Sequence, residues 1–104
     1  MYKALAEKLY QKAAKDKPPF FMLVPWPFWF SDFAGFSFGP LVFVRDKKDI
    51  SLIVHEMVHV RQFYDAPIRF PILYLYHLFK VGYQNNPYEV AARKTQKKAE
   101  RILE

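Results

Sequence analysis

The sequence contains no cysteine, few glycines and no long apolar run, and each absence excludes a class of protein. Without cysteine there is no disulfide framework and no thiolate zinc site of the zinc-finger kind. Only three glycines are present against eight prolines, so proline supplies most of the breaks between elements. The most apolar stretch, residues 18–30, is too short to span a bilayer and contains four prolines. We therefore expect no transmembrane span.

The length and the charge of the chain predict its domain number, its location and one class of partner that it does not bind. A chain of 104 residues that is 52% hydrophobic can form one modest core, which predicts a single domain over residues 1–104. Residues 1–17 mix charges with apolar residues and lack the features of a signal peptide, so we expect a cytoplasmic protein. The net charge of +6 lies mostly at the two ends, where basic residues usually solvate helices, and we expect no nucleic-acid partner.

The order of helix and strand signals predicts an α+β domain with one helix, a small sheet of two or three strands, and then three helices. Residues 2–16 predict an amphipathic helix with Leu5, Leu9 and Ala13 in one stripe. Residues 20–45 are rich in aromatic and β-branched residues, which favours strands, with "DFAGFSFG" as a turn and "PLVFVR" as a strand. The three later helices are predicted from Asp46 or Asp49 to just before Pro67, from Pro71 to about Val81, and from Asn86 to the C-terminus.

The motif "HEMVH" at residues 55–59 lies within the first of those three helices. His55 and His59 are one turn apart, and each can direct a nitrogen at a common zinc ion. Glu56 is offset by one residue, which suits contact with a water on that ion rather than ligation. Isolated histidines are more often surface or core residues, but here Ile53 and Met57 form an apolar face on the opposite side. We therefore expect His55 and His59 to bind Zn²⁺.

A catalytic zinc ion usually has three protein ligands, so a third ligand is needed from elsewhere in the chain. The longer H-E-x-x-H-x-x-G-x-x-H pattern is absent, because residues 62 and 65 are Gln and Asp. Two candidates remain, Glu89 in the first turn of the last helix and His77 in the apolar stretch "ILYLYHLFK". Each has a structural alternative, since Glu89 can complete a capping box and His77 can be a packed histidine.

The segments "HEMVHVRQ" and "GYQNNPYEVAAR" together resemble the gluzincin metallopeptidases, and the chain is similar in size to the single-domain minigluzincins. The resemblance implies that His55, His59 and Glu89 bind zinc and that Glu56 is the catalytic general base and acid. It implies a peptide or protein substrate that pairs with the edge of the strand "GPLVFVR". It also implies a zymogen, in which the C-terminal segment, residues 90–104, blocks the site of its own molecule or, by self-association, of a neighbour.

Two parts of the site are not fixed by the resemblance. Gluzincins commonly have an aspartate four residues after the glutamate ligand, where this chain has Arg93, which cannot accept a hydrogen bond. Backbone carbonyls, Asp65 or Gln62 are therefore expected to orient the ligand histidines. The donor for the tetrahedral oxyanion is not selected by the sequence, and the candidates are Tyr83, Tyr88, His77 and Arg61.

Two other functions are compatible with the same residues. Aromatic residues make up 19% of the chain, so some rings are expected at the surface. The main alternative is a non-catalytic module whose basic and aromatic surface binds a membrane or a protein, with a structural metal. A metal-dependent hydrolase that acts on a non-peptide bond is another. Glu56 separates the peptidase from the non-catalytic module, because a structural metal needs no carboxylate beside a bound water.

Overall fold

The structure is a computed structural model, which describes residues 2–25, 35–44 and 49–104. Its elements in chain order are α1 (Tyr2–Ala14), β1 (Met22–Pro25), β2 (Gly35–Phe38), β3 (Leu41–Val44), α2 (Ile50–Asp65), α3 (Arg69–Asn85) and α4 (Pro87–Leu103). The predicted α+β order of one helix, a small sheet and three helices is confirmed. Within the described ranges, no helix is both long and apolar enough to cross a membrane.

The three strands form one mixed sheet in the order β1-β3-β2. Strand β3 runs parallel to β1 and antiparallel to β2. A two-residue loop, Gly39-Pro40, joins β2 to β3, and Gly39 has a φ of 57°, a left-handed value that glycine adopts without strain. The segment "DFAGFSFG", predicted as a turn with its flanks, contains β2 at Gly35–Phe38, and the turn begins at its last residue, Gly39. Residues 32–34 of that prediction lie outside the described residues.

The central position of β3 corrects the expectation for the substrate edge. The strand "GPLVFVR" was expected to pair with an extended substrate, but β3 is already hydrogen-bonded on both sides, to β1 and to β2. That expectation is wrong, because a central strand has no free backbone groups to offer. The edges of the described sheet are β1 and β2, and β2 packs against α2.

The core lies between α2, the sheet, α1 and α4. On α1, Leu9 and Ala13 are buried as predicted, but Leu5 is 48% exposed, and Ala6 and Tyr10 occupy the core instead. The buried positions 6, 9, 10 and 13 follow the i, i+3, i+4, i+7 spacing of a helix that buries one face. The fully buried members with the largest side chains are Phe21, Val42, Ile53, Val54, Met57 and Val60.

Side-chain caps fix the starts of the two helices that carry the candidate site. Asp49 is the N-cap of α2 and accepts a hydrogen bond from the Leu52 amide at 3.3 Å, while Asp46 lies outside the described residues. Asn86 is the N-cap of α4, is fully buried, and accepts from the Tyr88 amide at 3.1 Å. Its side-chain amide also donates to the carbonyl of Tyr74 at 3.1 Å, so one residue ties α3 to the first turn of α4.

Helix α3 differs from its predicted bounds at both ends. It begins at Arg69, two residues before Pro71, which therefore lies in the first turn, where a missing amide proton costs nothing. The predicted end at Gly82 corresponds to a kink, where φ is 81° and ψ is 174°, after which helical structure resumes as far as Asn85. Glycine suits this position because the positive φ would strain any other residue.

Candidate metal centre

Three side chains from two helices converge on one point. The Nε2 atoms of His55 and His59 each lie 3.1 Å from the same carboxylate oxygen, Oε1 of Glu89. One ligand-type atom from each of the three residues lies within 4.8 Å of the others. All three residues are buried, with between 4% and 6% of their surface exposed. His55, His59 and Glu89 therefore form a group that can hold a metal ion.

Local helix geometry places these three residues. His55 and His59 are four residues apart on α2, so their rings lie on one side with centroids 5.1 Å apart. Glu89 is the third residue of α4, directly after the start that Asn86 and Pro87 fix. In that position a glutamate often turns back to the N-cap amide, but here it points to the histidines. The capping-box alternative for Glu89 is therefore not the arrangement seen.

A glutamine side chain orients each histidine from behind. The Nδ1 of His55 lies 2.8 Å from Oε1 of Gln96, and the Nδ1 of His59 lies 2.8 Å from Oε1 of Gln62. Gln62 is itself held, because its Nε2 donates to the carbonyl of Tyr88 at 3.2 Å. A glutamine oxygen only accepts, so each Nδ1 donates its proton to the glutamine, and whenever the ring is neutral its lone pair lies on Nε2.

The resulting arrangement fits a cation. When both rings are neutral, two imidazole lone pairs and a carboxylate oxygen meet at this point, which is unfavourable unless a proton or a metal cation lies among them. A tetrahedral ion with zinc-like bond lengths of about 2.0 to 2.2 Å separates two of its ligand atoms by about 3.4 Å. The observed separation of 3.1 Å is close to that value. The donor set thus has the chemistry of a metal site, and its atoms lie close enough together to hold one ion.

The histidines and the carboxylates of this cluster shift one another's pKa values. Burial alone would lower the pKa of His59, but a hydrogen bond and the negative charge of Glu89, followed by Glu56, outweigh it and raise that pKa. Burial alone would raise the pKa of Glu89, yet the hydrogen bonds to His55 and His59 hold that pKa well below its usual range. A metal ion that binds here therefore competes with protons.

Glu56 lies beside the cluster without joining it. Only 4% of the residue is exposed, and burial raises the pKa of its carboxyl group. The nearby positive charge of His59 and His55 and a hydrogen bond from Ser37 act in the opposite direction. Ser37 belongs to β2, so the edge strand of the sheet reaches the carboxylate that follows the first histidine. A buried carboxylate of raised pKa next to a metal site is suited to proton transfer.

Two tyrosines complete the polar surroundings of Glu89. The hydroxyl of Tyr74 donates to Oε2 of Glu89 at 2.5 Å, and burial together with this hydrogen bond raises the pKa of Tyr74. Burial and the charges of Glu89 and then Glu56 raise the pKa of Tyr83 in the same way. Both hydroxyls therefore keep their protons at neutral pH and remain hydrogen-bond donors.

The other candidates from the sequence lie apart from the cluster. His77 packs against the rings of Tyr76 and Tyr88, with centroids 5.2 Å and 6.1 Å away. Arg61 pairs with Asp16 at 3.5 Å and with Asp65 at 3.4 Å, so neither Arg61 nor Asp65 faces the histidines. Of the proposed orienting residues, only Gln62 contacts a ligand histidine among the described residues.

Arg93 occupies the position where the gluzincin pattern has an aspartate, and it has a different environment. Its Nη2 donates to the carbonyl of Gln84, and its guanidinium lies 5.9 Å from the centroid of the Tyr83 ring. Arg93 is thus directed towards the end of α3, and Gln96, one turn further along α4, contacts His55 in its place.

Three residues of the site were missed by sequence reasoning: Gln96, Tyr74 and Ser37. Gln96 lies seven residues after Glu89, which is two helical turns, so a wheel of α4 would have placed both on one face. Tyr74 and Ser37 carried no such signal, because their approach depends on how α3 and β2 pack on α2 and α4.

Comparisons of the chain with protein-family models, with curated proteins and with solved structures found no match. The interpretation of the site therefore rests on its own geometry. That geometry consists of two imidazoles and a carboxylate around one point, a glutamine behind each ring, and a separate buried carboxylate at the side.

Proposed function

We propose that this protein is a zinc-dependent peptidase of minimal gluzincin type. The observation that carries the proposal is the convergence of His55, His59 and Glu89 on one point, with Glu56 beside them and outside the ligand set. Two imidazoles and one carboxylate are a frequent ligand set of catalytic zinc, which keeps three protein ligands and one position for water or substrate. Within the described residues the cluster has three such ligands, which matches the catalytic rather than the structural count.

The residues around the metal position divide the chemistry among them. Zinc, when bound, would supply an acidified water and polarise the carbonyl of the scissile peptide bond. Glu56 is placed to take the proton of the attacking water and to pass it to the nitrogen of the leaving amine. The hydrogen bond from Ser37 orients the Glu56 carboxylate. Of the four candidate donors for the developing oxyanion, we propose Tyr83, which is half exposed and whose pKa is raised by burial and by the charges of Glu89 and Glu56.

The substrate edge is proposed to be β2 instead of β3. Strand β2 lies at the edge of the described sheet, and its residue Ser37 contacts Glu56. An extended peptide that pairs with this edge would pass beside the general base, and main-chain hydrogen bonds would hold it with little dependence on its side chains.

The deciding experiment combines metal content with cleavage. The purified chain is loaded with zinc, and its metal content is measured by mass spectrometry. It is then incubated with a library of internally quenched fluorogenic peptides. We expect about one zinc per chain and cleavage that chelator abolishes. Glu56→Gln should keep the zinc and the circular dichroism spectrum and lose cleavage, because an amide cannot accept the water's proton. A Glu56→Gln variant that cleaves as fast as the parent would exclude this mechanism.

One observation favours a second candidate, a metal that only braces the fold. The three ligands and Glu56 are each less than 7% exposed, and structural zinc sites are closed in this way. In that case, zinc would bind with the same stoichiometry, and neither the parent nor Glu56→Gln would cleave any peptide of the library. The raised pKa of Glu56 should then have no functional use, and Glu56→Gln should stabilise the zinc-loaded fold by removing a buried charge.

Control by the C-terminal segment, residues 90–104, is proposed only between molecules. In this structure α4 is continuous to Leu103, and a helix of that length carries its last residues about 21 Å from Glu89 along the axis. The last residues would therefore have to leave this helix to reach the site of their own molecule. Ile102 and Leu103 are half exposed, so they neither cover the chain's own histidines nor pack in its core, and they remain free to enter a neighbour's cleft.

The structure also limits how this control can be tested by truncation. Gln96 orients His55 and Ala99 is buried in the core, so shortening the chain as far as Thr95 would damage the site itself. Removal of residues 102–104 alone leaves both Gln96 and Ala99 in place. If blocking between molecules operates, this truncated form should cleave faster than the parent at high protein concentration, and the difference should vanish on dilution. Equal rates at every concentration would exclude it.

A further inference from the structure

Helix α3 presents an apolar face that nothing in the described structure covers. The helix has no buried residue, and its outer face is formed by Ile68, directly before the first turn, and by Ile72, Leu75, Tyr76 and Phe79. Each of these five residues has between 52% and 90% of its surface exposed. An uncovered run of large apolar side chains on one side of a helix marks an interaction surface.

The spacing of the outer face is that of one continuous stripe. At 100° per residue, its five members lie within an arc of about 100°, and they extend over about 16 Å of helix. The opposite side of α3 is already used, because Phe70 and Tyr74 pack against His59 and Tyr74 donates to Glu89. The outer face therefore serves neither the core nor the metal site.

The charges around this stripe have one sign. Between Asp65 and Glu89 the chain contains no aspartate or glutamate, and its only fixed charges there are Arg69 and Lys80. On the helix these two lie together at one border of the stripe, about 120° and 140° from Leu75. Both residues are exposed. The whole chain carries a net charge of +6, so its positive electrostatic potential adds to that of Arg69 and Lys80.

The charge pattern decides between two occupants of the face. If two copies of the chain paired through α3 in antiparallel fashion, Arg69 of one would approach Lys80 of the other with no carboxylate from α3 between them, which is unfavourable. A surface of anionic phospholipids accepts both cations and buries the apolar side chains at the same time. The combination of isoleucine, leucine and phenylalanine on one face with Lys and Arg at its border is that of a helix lying in the membrane interface.

We propose that α3 binds the surface of an anionic lipid bilayer with its outer face. The apolar stripe enters the boundary between headgroups and acyl chains, and Arg69 and Lys80 contact the lipid phosphates. Because α3 is about 10 Å thick, this orientation places the metal centre just above the headgroups, on the far side of the helix. The binding needs neither metal nor catalysis, so it stands independently of the proposed peptidase activity.

The test is co-sedimentation of the full chain with lipid vesicles. The chain should bind vesicles of phosphatidylcholine mixed with phosphatidylserine, bind those of phosphatidylcholine alone much more weakly, and release with added salt. Phe79→Gln should weaken binding by about tenfold or more, because it removes the most exposed member of the stripe. Arg69→Gln and Lys80→Gln should each weaken it about fivefold. All three positions are exposed, so the variants should keep the parental circular dichroism spectrum.

Matched controls make the result specific to this face. Leu103→Gln and Lys94→Gln make the same kinds of change at exposed positions of α4 and should bind vesicles like the parent. Glu56→Gln should also bind like the parent, which separates this proposal from the catalytic one. Absence of binding to anionic vesicles, or undiminished binding by Phe79→Gln, would overturn the proposal. A parental dimer that Phe79→Gln dissociates, with no vesicle binding, would assign the face to a second copy of the chain.

Discussion

The hydrogen bond from His55 to Gln96 offers the sharpest single test of the metal centre. In Gln96→Leu the side chain keeps a similar volume but loses the oxygen that accepts from Nδ1 at 2.8 Å. The ring of His55 is then free to place its proton on Nε2 and to rotate, so its lone pair is no longer directed at the metal. Gln96 is the cleaner of the two glutamines, since Gln62 also donates to the carbonyl of Tyr88 and so joins α2 to α4.

The expected magnitude follows from the position of this contact. Removing a residue that orients a ligand histidine typically costs 10- to 100-fold in metal affinity, or about 1.4 to 2.7 kcal/mol. Gln96→Glu supplies a carboxylate oxygen at the same place, so it should retain or increase the parental affinity. Gln11→Leu makes the same change as Gln96→Leu at an exposed position of α1 and should have no effect.

The measurement is competition for zinc against a chromophoric chelator at fixed neutral pH. The decisive comparison is between Gln96→Leu and Gln96→Glu. Both variants lose the side-chain amide, but only Gln96→Glu keeps an oxygen that can accept the hydrogen bond from His55. If Gln96→Leu binds zinc within twofold of the parent, or if both variants lose affinity equally, the oriented-imidazole account of this site is wrong.

Three further outcomes are expected. Glu89→Ala should weaken zinc binding severely, whereas His77→Ala should leave it unchanged, as measured by metal content after dialysis. Because the pKa of His59 is raised in the metal-free site, zinc must displace a proton, so its apparent affinity should fall about tenfold per pH unit below that pKa, as titrations at several pH values would show. The same raised pKa stabilises the metal-free fold at acidic pH, and that contribution is lost as the pH rises through it. Removal of zinc present at about a thousand times its Kd should lower the melting temperature by more than about 10 °C, and His55→Ala should show no such shift.

The helices were predictable from sequence because their signals are local. Asp49 and Asn86 cap the helices by bonding to amides two or three residues away, and Pro67 and Gly82 interrupt them through their own backbone preferences. The face that carries His55 and His59 follows from helical periodicity alone. Each of these features depends on a few neighbouring residues, and each is present in the structure close to its predicted place, except that Gly82 kinks α3 instead of ending it.

The sheet could not be predicted to the same extent, because strand order is a non-local property. Leu41–Val44 of the segment "PLVFVR" form a strand as predicted, and Arg45 lies outside the described residues. Nothing within that segment indicates that β3 pairs with β1 in parallel. A parallel pairing needs a connection that brings distant segments together, and sequence patterns say little about which strand will lie at the edge. For this reason the sequence predicted β3 as the accessible edge strand, whereas the described sheet has β2 at its edge.

The contacts around the candidate metal position were likewise predictable where they depend on local sequence and not predictable where they depend on helix packing. His55 and His59 both lie on one helix, whereas only the packing of α4 on α2 brings Glu89 to them as the candidate third ligand. Gln96 sits on α4 as well, so one helix supplies both the third ligand and the residue that orients the first histidine. The spacing of Glu89 and Gln96 predicts that both lie on one face of α4. The sequence does not show that this face packs against α2, so the contact with His55 could not be predicted.

A metal ion bound by His55, His59 and Glu89 would join two helices of this domain. His55 and His59 belong to α2 and Glu89 to α4, so a bound ion joins the helix that packs on the sheet to the helix that packs on α1. Without the ion, the same groups bring two lone pairs and a carboxylate into a site that is almost entirely buried, where desolvation is expensive. The protons that relieve this conflict make it milder at low pH, where metal binding is weakest. As the pH rises through the raised pKa of His59, the contribution of that residue to the stability of the metal-free fold is lost, while the affinity of the cluster for a metal ion increases.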